Sequence, residues 1–143
     1  MMTIGDQFYD KAHFDRRSAE LAALAGLSRS VRYAVCFADT AEWLSLFFAI
    51  REAGASVLPI HPGTPLEAAK KLALQAGCEK LFYNSFSGEI LPQSIAASEG
   101  GELLQMSSGT TGAPKLIART WTSIDAEIAS YVETFTASAA MTP

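Results

Sequence analysis

Cysteine is almost absent from this sequence. The two that occur, Cys36 and Cys78, have no paired spacing, which excludes a disulfide framework and a thiolate metal site. Two core thiols fit a reduced, cytoplasmic protein. Histidine is equally scarce. His61, in PIHPGTP, reads as a turn residue and not a base, and His13 has no evident partner. Charge is thin: Lys, Arg, Asp and Glu make up 18% of residues and the net charge is −4. Without a basic face, nucleic-acid binding is not expected. No apolar run reaches the length of a bilayer span. The opening MMTIGDQFYDKAHFD has no basic stretch followed by an apolar core, so neither a membrane segment nor a signal peptide is expected.

What is present is globular in character. Apolar residues reach 49% of a 143-residue chain, enough for one domain with a real core. RSAELAALAG, over 17–26, reads as a short helix stopped by Gly26. Val31–Phe37 follows as a buried strand. Asp39 and Glu42 stand three apart ahead of AEWLSLFFAIREA, in a capping-box pattern with Asp39 as the cap and not as half of a carboxylate pair. Trp43, Phe47 and Phe48 give that helix an unusually wide apolar face. Ser56–Ile60 is a short strand. Thr64-Pro65-Leu66-Glu67 reads as a second capping box, opening a helix that ends at Gly77. Lys80–Tyr83 is a strand, followed by a long polar connection to Gly101 with a small hairpin around Ser87-Gly88. Strands are also expected over Glu102–Met106 and Lys115–Arg119. Thr122 and Asp125 open a last helix with a stripe of Ile124, Ile128, Tyr131 and Phe135, after which TASAAMTP adds no element. The alternation predicts an α/β fold, a mostly parallel sheet flanked by helices.

Between the last two strands lies the most specific segment, QMSSGTTGAPKLI, from Gln105 to Ile117. Gly109 and Gly112 let the backbone approach a ligand closely. Amides of such a loop converge into an anion nest. Ser107, Ser108, Thr110 and Thr111 add hydroxyl donors, and Lys115 adds a mobile cation. This donor set suits a polyphosphate. It is not the common NTPase loop, because Pro114 occupies the position of that motif's second glycine. That motif also opens a helix, whereas Lys115–Arg119 reads as a strand, so a hairpin-like loop between two strands is predicted.

LQMSSGTTGAPK, Leu104 through Lys115, resembles the phosphate-loop signature of the adenylate-forming (AMP-binding) superfamily: acyl- and aryl-CoA synthetases, luciferases and peptide-synthetase adenylation domains. AEWLSLFFAIREAGASVLPIHPGTPLE is similar to an earlier part of the same enzymes, so the likeness runs over roughly residues 31–136. The resemblance implies that Ser107, Ser108, Gly109, Thr110, Thr111 and Gly112 surround the β- and γ-phosphates of ATP. Lys115, the one catalytic residue it implies, would neutralise charge as pyrophosphate leaves. PKLIART is similar to the aryl-acid-activating members, which favours a small aryl carboxylic acid as substrate. Those members commonly place His where this chain has Trp121, which is read as packing.

The resemblance implies ATP and Mg2+ as cofactors, the main Mg2+ ligand lying outside this chain. It also implies CoA or a carrier protein's phosphopantetheine as acyl acceptor. It covers only the family's N-terminal portion. Residues 1–28 are expected to form an N-terminal helical segment and 29–143 a partial AMP-binding domain. The chain is thus expected to be a shortened piece, a proteolytic product or one part of a split protein, inactive alone. It would self-associate or pair with the missing C-terminal portion. Two or three charge-assisted hydrogen bonds, less the cost of association, leave about 4 kcal/mol, a millimolar affinity for ATP. The alternative is a split or degenerate module that docks a partner carrying the other half and does no chemistry.

Overall fold

The structure is a computed structural model and describes residues 2–4, 7–92, 94–96, 100–107 and 115–141. Its centre is β3 (Arg32–Cys36), flanked on one side by β4 (Ser56–Pro59) and on the other by β5 (Lys80–Tyr83), both parallel to it. Beyond β4 lies β7 (Glu102–Ser107), also parallel, and beyond that β8 (Lys115–Thr120), antiparallel. The opposite edge is closed by β6 (Glu89–Ile90), antiparallel to β5. The sheet order is therefore β6-β5-β3-β4-β7-β8. The predicted α/β class and parallel centre are present, and the hairpin expected around Ser87-Gly88 is the β5–β6 turn.

Successive residues of β3 face opposite sides of the sheet, as strand geometry requires. Tyr33 and Val35 join a core with Leu46, Ala49 and Ile50 of α2 (Thr40–Glu52) and Leu21 of α1 (Lys11–Leu24). Ala34 and Cys36 join a second core with Ala69 and Ala73 of α3 (Leu66–Gln75), Leu58, Leu81 and Leu104. Leu21, Leu46 and Ile50 are fully buried, each contributing about 1.5–3 kcal/mol relative to exposure.

Helix starts follow local hydrogen bonding, with departures from the sequence expectation. α1 begins at Lys11, earlier than predicted, because the Asp10 carboxylate accepts from His13 N at 2.8 Å. Ahead of it β1 (Met2–Ile4) and β2 (Gln7–Tyr9) form an antiparallel pair that the sequence reading missed. Asp39 caps α2 as expected, accepting from Glu42 N at 3.1 Å. The reciprocal half of that capping box is not made. The Glu42 carboxylate instead takes two hydrogen bonds from Arg17 of α1, each 2.8 Å, while the guanidinium lies 5.5 Å from the Phe86 ring.

The second predicted capping box is absent. α3 starts after Pro65 with no side-chain cap, and Thr64 serves a turn in which its N–H donates to His61 O at 3.0 Å. The last helix, α4 (Trp121–Met141), starts one residue before Thr122. Its cap is Thr120, whose hydroxyl accepts from Ser123 N at 3.2 Å. α4 runs through most of TASAAMTP, where no element was expected. Ile124 packs on the first core and Ile128 is exposed; the side chains of Tyr131 and Phe135 lie outside the described residues.

Candidate functional site

The parallel strands β3, β4 and β7 end at one edge of the sheet. β3 sends its connection through α2 to one face, while β4 sends its own through α3 to the other. Ligands of open α/β sheets occupy the crevice at such a reversal, outside the carboxyl ends of the strands. A cavity of about 240 Å³ lies here, lined by Phe37, Thr40, Trp43, Pro59, Ile60, His61 and Pro62.

His61 is held as a turn residue. Its Nδ1 accepts from Gly63 N at 3.1 Å and its carbonyl accepts from Thr64 N at 3.0 Å. An accepting Nδ1 leaves the ring proton on Nε2.

β7 and β8 form a hairpin of six rungs, from Glu102↔Thr120 to Ser107↔Lys115. The last rung brings two predicted phosphate ligands opposite each other. Lys115 N donates to Ser107 Oγ at 3.3 Å, Ser107 is half-buried, and Lys115 is exposed. The residues 108–114 join this rung. Ser108, Gly109, Thr110, Thr111 and Gly112, assigned to phosphate binding from the sequence, lie outside the described residues.

The root of the hairpin is fixed by groups that sequence reasoning missed. Glu102 N donates to Ser56 Oγ at 2.8 Å. Gly101 is buried against Ala55 with φ +77°, and a Cβ there would stand 2.0 Å from Ala55 O. Trp121, at the exit of β8, is 8% exposed and donates from Nε1 to the same carbonyl at 3.4 Å. Its indole meets Phe47 edge to face, with centroids 5.5 Å apart, and carries the Arg51 guanidinium 5.2 Å from its centroid. Arg51 also pairs with Asp125, and Arg119 with Glu127. Trp121 is therefore a packing residue. The Gly100-Gly101 pair just before a strand was the one sequence signal for this root.

Both cysteines are buried thiols. Burial pushes the Cys36 thiol upward, and it pushes Cys78 up to about 12 against a smaller opposing pull from Arg32. Among the described residues no group of His, Cys, Asp and Glu could hold a metal ion. No helix among them is long and apolar enough to cross a membrane.

A parallel sheet with helices on both faces, carrying an antiparallel hairpin at its carboxyl edge, is the fold of the N-terminal part of adenylate-forming enzymes. The chain resembles that portion of the superfamily in sequence as well. It is 36% identical over 136 residues to the 3,4-dihydroxybenzoate–[aryl-carrier protein] ligase of Bacillus anthracis, an alignment covering 93% of this chain and 33% of that protein. The chain thus spans about a third of the length of the curated relative it matches. Among solved structures, O-succinylbenzoate coenzyme A synthetase (MenE) from Bacillus subtilis, in complex with AMP, superposes with a TM-score of 0.63 at 17% identity, covering 82% of this chain and 38% of that one. The N-terminal subdomain of Klebsiella oxytoca NpsA superposes with a TM-score of 0.60 at 18% identity, covering 80% of this chain and 36% of that one. No family model matches the chain.

Proposed function

We propose that this chain is the N-terminal part of an ATP-dependent ligase that activates a small aryl carboxylic acid. In the first half-reaction a carboxylate oxygen attacks the α-phosphorus of ATP. The bond to the β-phosphate oxygen breaks, and pyrophosphate leaves an acyl-adenylate. A thiolate, from a carrier protein's phosphopantetheine or from CoA, then attacks the acyl carbon and expels AMP.

The observation that carries this reading is the Ser107↔Lys115 rung. It holds a hydroxyl and a cation at the ends of a Ser/Thr/Gly-rich loop, on the edge of the sheet where ligands bind. In-line displacement needs positioned donors more than a protein nucleophile. Ser107, Ser108, Gly109, Thr110, Thr111 and Gly112 are assigned to the β- and γ-phosphates, and Lys115 to the charge that develops on leaving pyrophosphate. Mg2+ would draw its carboxylate ligand from outside the described residues. The aryl acid and the carrier-protein acceptor are favoured by likeness to a ligase named for both. Two buried free thiols favour a cytoplasmic setting.

Within the chain we assign residues 1–28 as an N-terminal segment and 29–143 as a partial AMP-binding domain, the first seated on the second through Leu21. Exposed Ile117 and Ile128 favour pairing of this piece with the remainder or with itself.

The test is carboxylate-dependent ATP–pyrophosphate exchange by the whole protein. Lys115→Ala and Thr110→Ala should each lower the exchange rate by about 10²-fold or more, the usual effect of removing one preorganised donor. Wild-type rates in both variants would refute the site assignment.

A further inference from the structure

We infer that Arg51 is a positioning residue: through Trp121 it locks the root of the β7–β8 hairpin and so sets where Lys115 stands. This rests on the ligase reading for its catalytic half, but the lock itself is a geometric claim.

The hairpin needs such a device. β7 pairs with β4 at a single rung, Val57↔Leu103, whereas β7 and β8 pair along their whole length. From the Leu103↔Arg119 rung to the Ser107↔Lys115 rung the hairpin extends four residues, about 13 Å at ~3.3 Å per residue. A tilt of about 5° at the root then carries the last rung about 1 Å, a misplacement that can cost ~10²-fold in rate. Leu104, Met106 and Leu116 rest on the second core and oppose tilting on that face. On the other face Leu103 and Ile124 pack on the first core, and the Ala55 carbonyl is met by Gly101 and by the Trp121 indole.

Arg51 closes this cluster. It sits in the last turn of α2, where a cation is favoured by the helix dipole. It covers the Trp121 ring and pairs with Asp125 of α4, one turn beyond Trp121. One guanidinium therefore ties the α2 terminus to the strand exit and to the helix that follows it. Nothing in this cluster touches the Ser107↔Lys115 rung, so its effect on chemistry is through placement alone.

The experiment combines two readouts on the whole protein. Spin labels at Ala118→Cys on β8 and Leu74→Cys on α3, both exposed positions, report the hairpin-to-body distance. Pyrophosphate exchange reports kcat and KM. Arg51→Gln should broaden or shift the distance distribution and lower kcat about tenfold or more, with KM for the carboxylic acid within about twofold. Arg51→Lys, which keeps a cation over the ring, should recover most of both. Trp121→Phe, which keeps an aromatic ring but removes the N–H, should broaden the distances as well. A distance distribution in Arg51→Gln that coincides with wild type overturns the lock. A displaced hairpin with wild-type kcat overturns its catalytic consequence. If the wild-type protein exchanges pyrophosphate with no carboxylic acid, the ligase reading fails and the distances alone decide the lock.

Discussion

Gly100 and Gly101 offer a paired test of how the hairpin root is built. Both have positive φ, +84° and +77°, but their surroundings differ. A Cβ on Gly100 meets nothing within 4 Å. Gly100→Ala therefore carries only the left-handed backbone cost, about 1–2 kcal/mol. About 0.4–1 kcal/mol of that is offset by lower entropy in the unfolded chain. A net loss near 1 kcal/mol is expected.

A Cβ on Gly101 would lie 2.0 Å from Ala55 O and 2.6 Å from Ala55 C. Both atoms belong to backbone, so no rotamer change relieves the clash. The start of β7 must move away, which detaches Glu102 N from Ser56 Oγ and leaves polar groups unpaired at about 1–3 kcal/mol. Backbone strain and lost pairing together predict a loss of about 3–5 kcal/mol, a large share of a typical stability of about 5–15 kcal/mol. Urea denaturation followed by far-ultraviolet circular dichroism, with m-values compared, measures both variants. If they agree within about 0.5 kcal/mol, the close approach to Ala55 does not constrain the root and the reasoning fails.

Asp39→Ala removes the α2 cap and should cost about 1 kcal/mol by the same denaturation, while Asp39→Asn should cost a few tenths. No difference between the two would mean the cap is idle. Arg17→Met with Glu42→Gln forms a double-mutant cycle across the α1–α2 ion pair, whose side chains are 27% and 30% exposed. A coupling of about 1 kcal/mol is expected for a bidentate, partly screened pair; a coupling near zero would detach α1 from any such anchor.

Cys78 should resist thiol reagents at pH 8 in the native chain and react on unfolding. Its native pKa, pushed up to about 12, exceeds the unfolded value. The native state therefore binds the thiol proton more tightly, and this contribution is fully present below about pH 8.5. It is lost as pH rises toward the native value, at about 1.4 kcal/mol per unit. Unfolding midpoints of Cys78→Ala and wild type compared between pH 8 and 11 should converge with rising pH. A constant gap would refute the assignment.

The strands and the helix stops were legible in the sequence because they depend on local pattern. Lys80–Tyr83 is apolar between a glycine-ended helix and a turn, and the structure places β5 there without change. Asp39 announced its cap for the same reason. The departures occur where a distant partner outbids a local one. Glu42 satisfies a capping-box spacing, yet Arg17, twenty-five residues away, offers it a bidentate cation. Thr64 likewise fits an N-cap, but the His61 turn claims its amide, and its carbonyl accepts from the Tyr83 hydroxyl at 2.7 Å.

At the candidate site, Ser107 and Lys115 were singled out from residue type and spacing as candidate phosphate ligands. Their pairing across one rung depends on register, which the sequence carries only through the flanking strands. Arg51, Ser56 and Gly101 were not readable as hairpin supports, because each acts on a segment that meets it only in the folded sheet.

β3 has a neighbour along each edge and a packed layer above and below. Among the described residues its amides are then expected to be the last to exchange with solvent, which amide hydrogen exchange would measure. Endurance is thus concentrated at the middle of one sheet, where two neighbouring strands and two packed layers hold the same short segment at once.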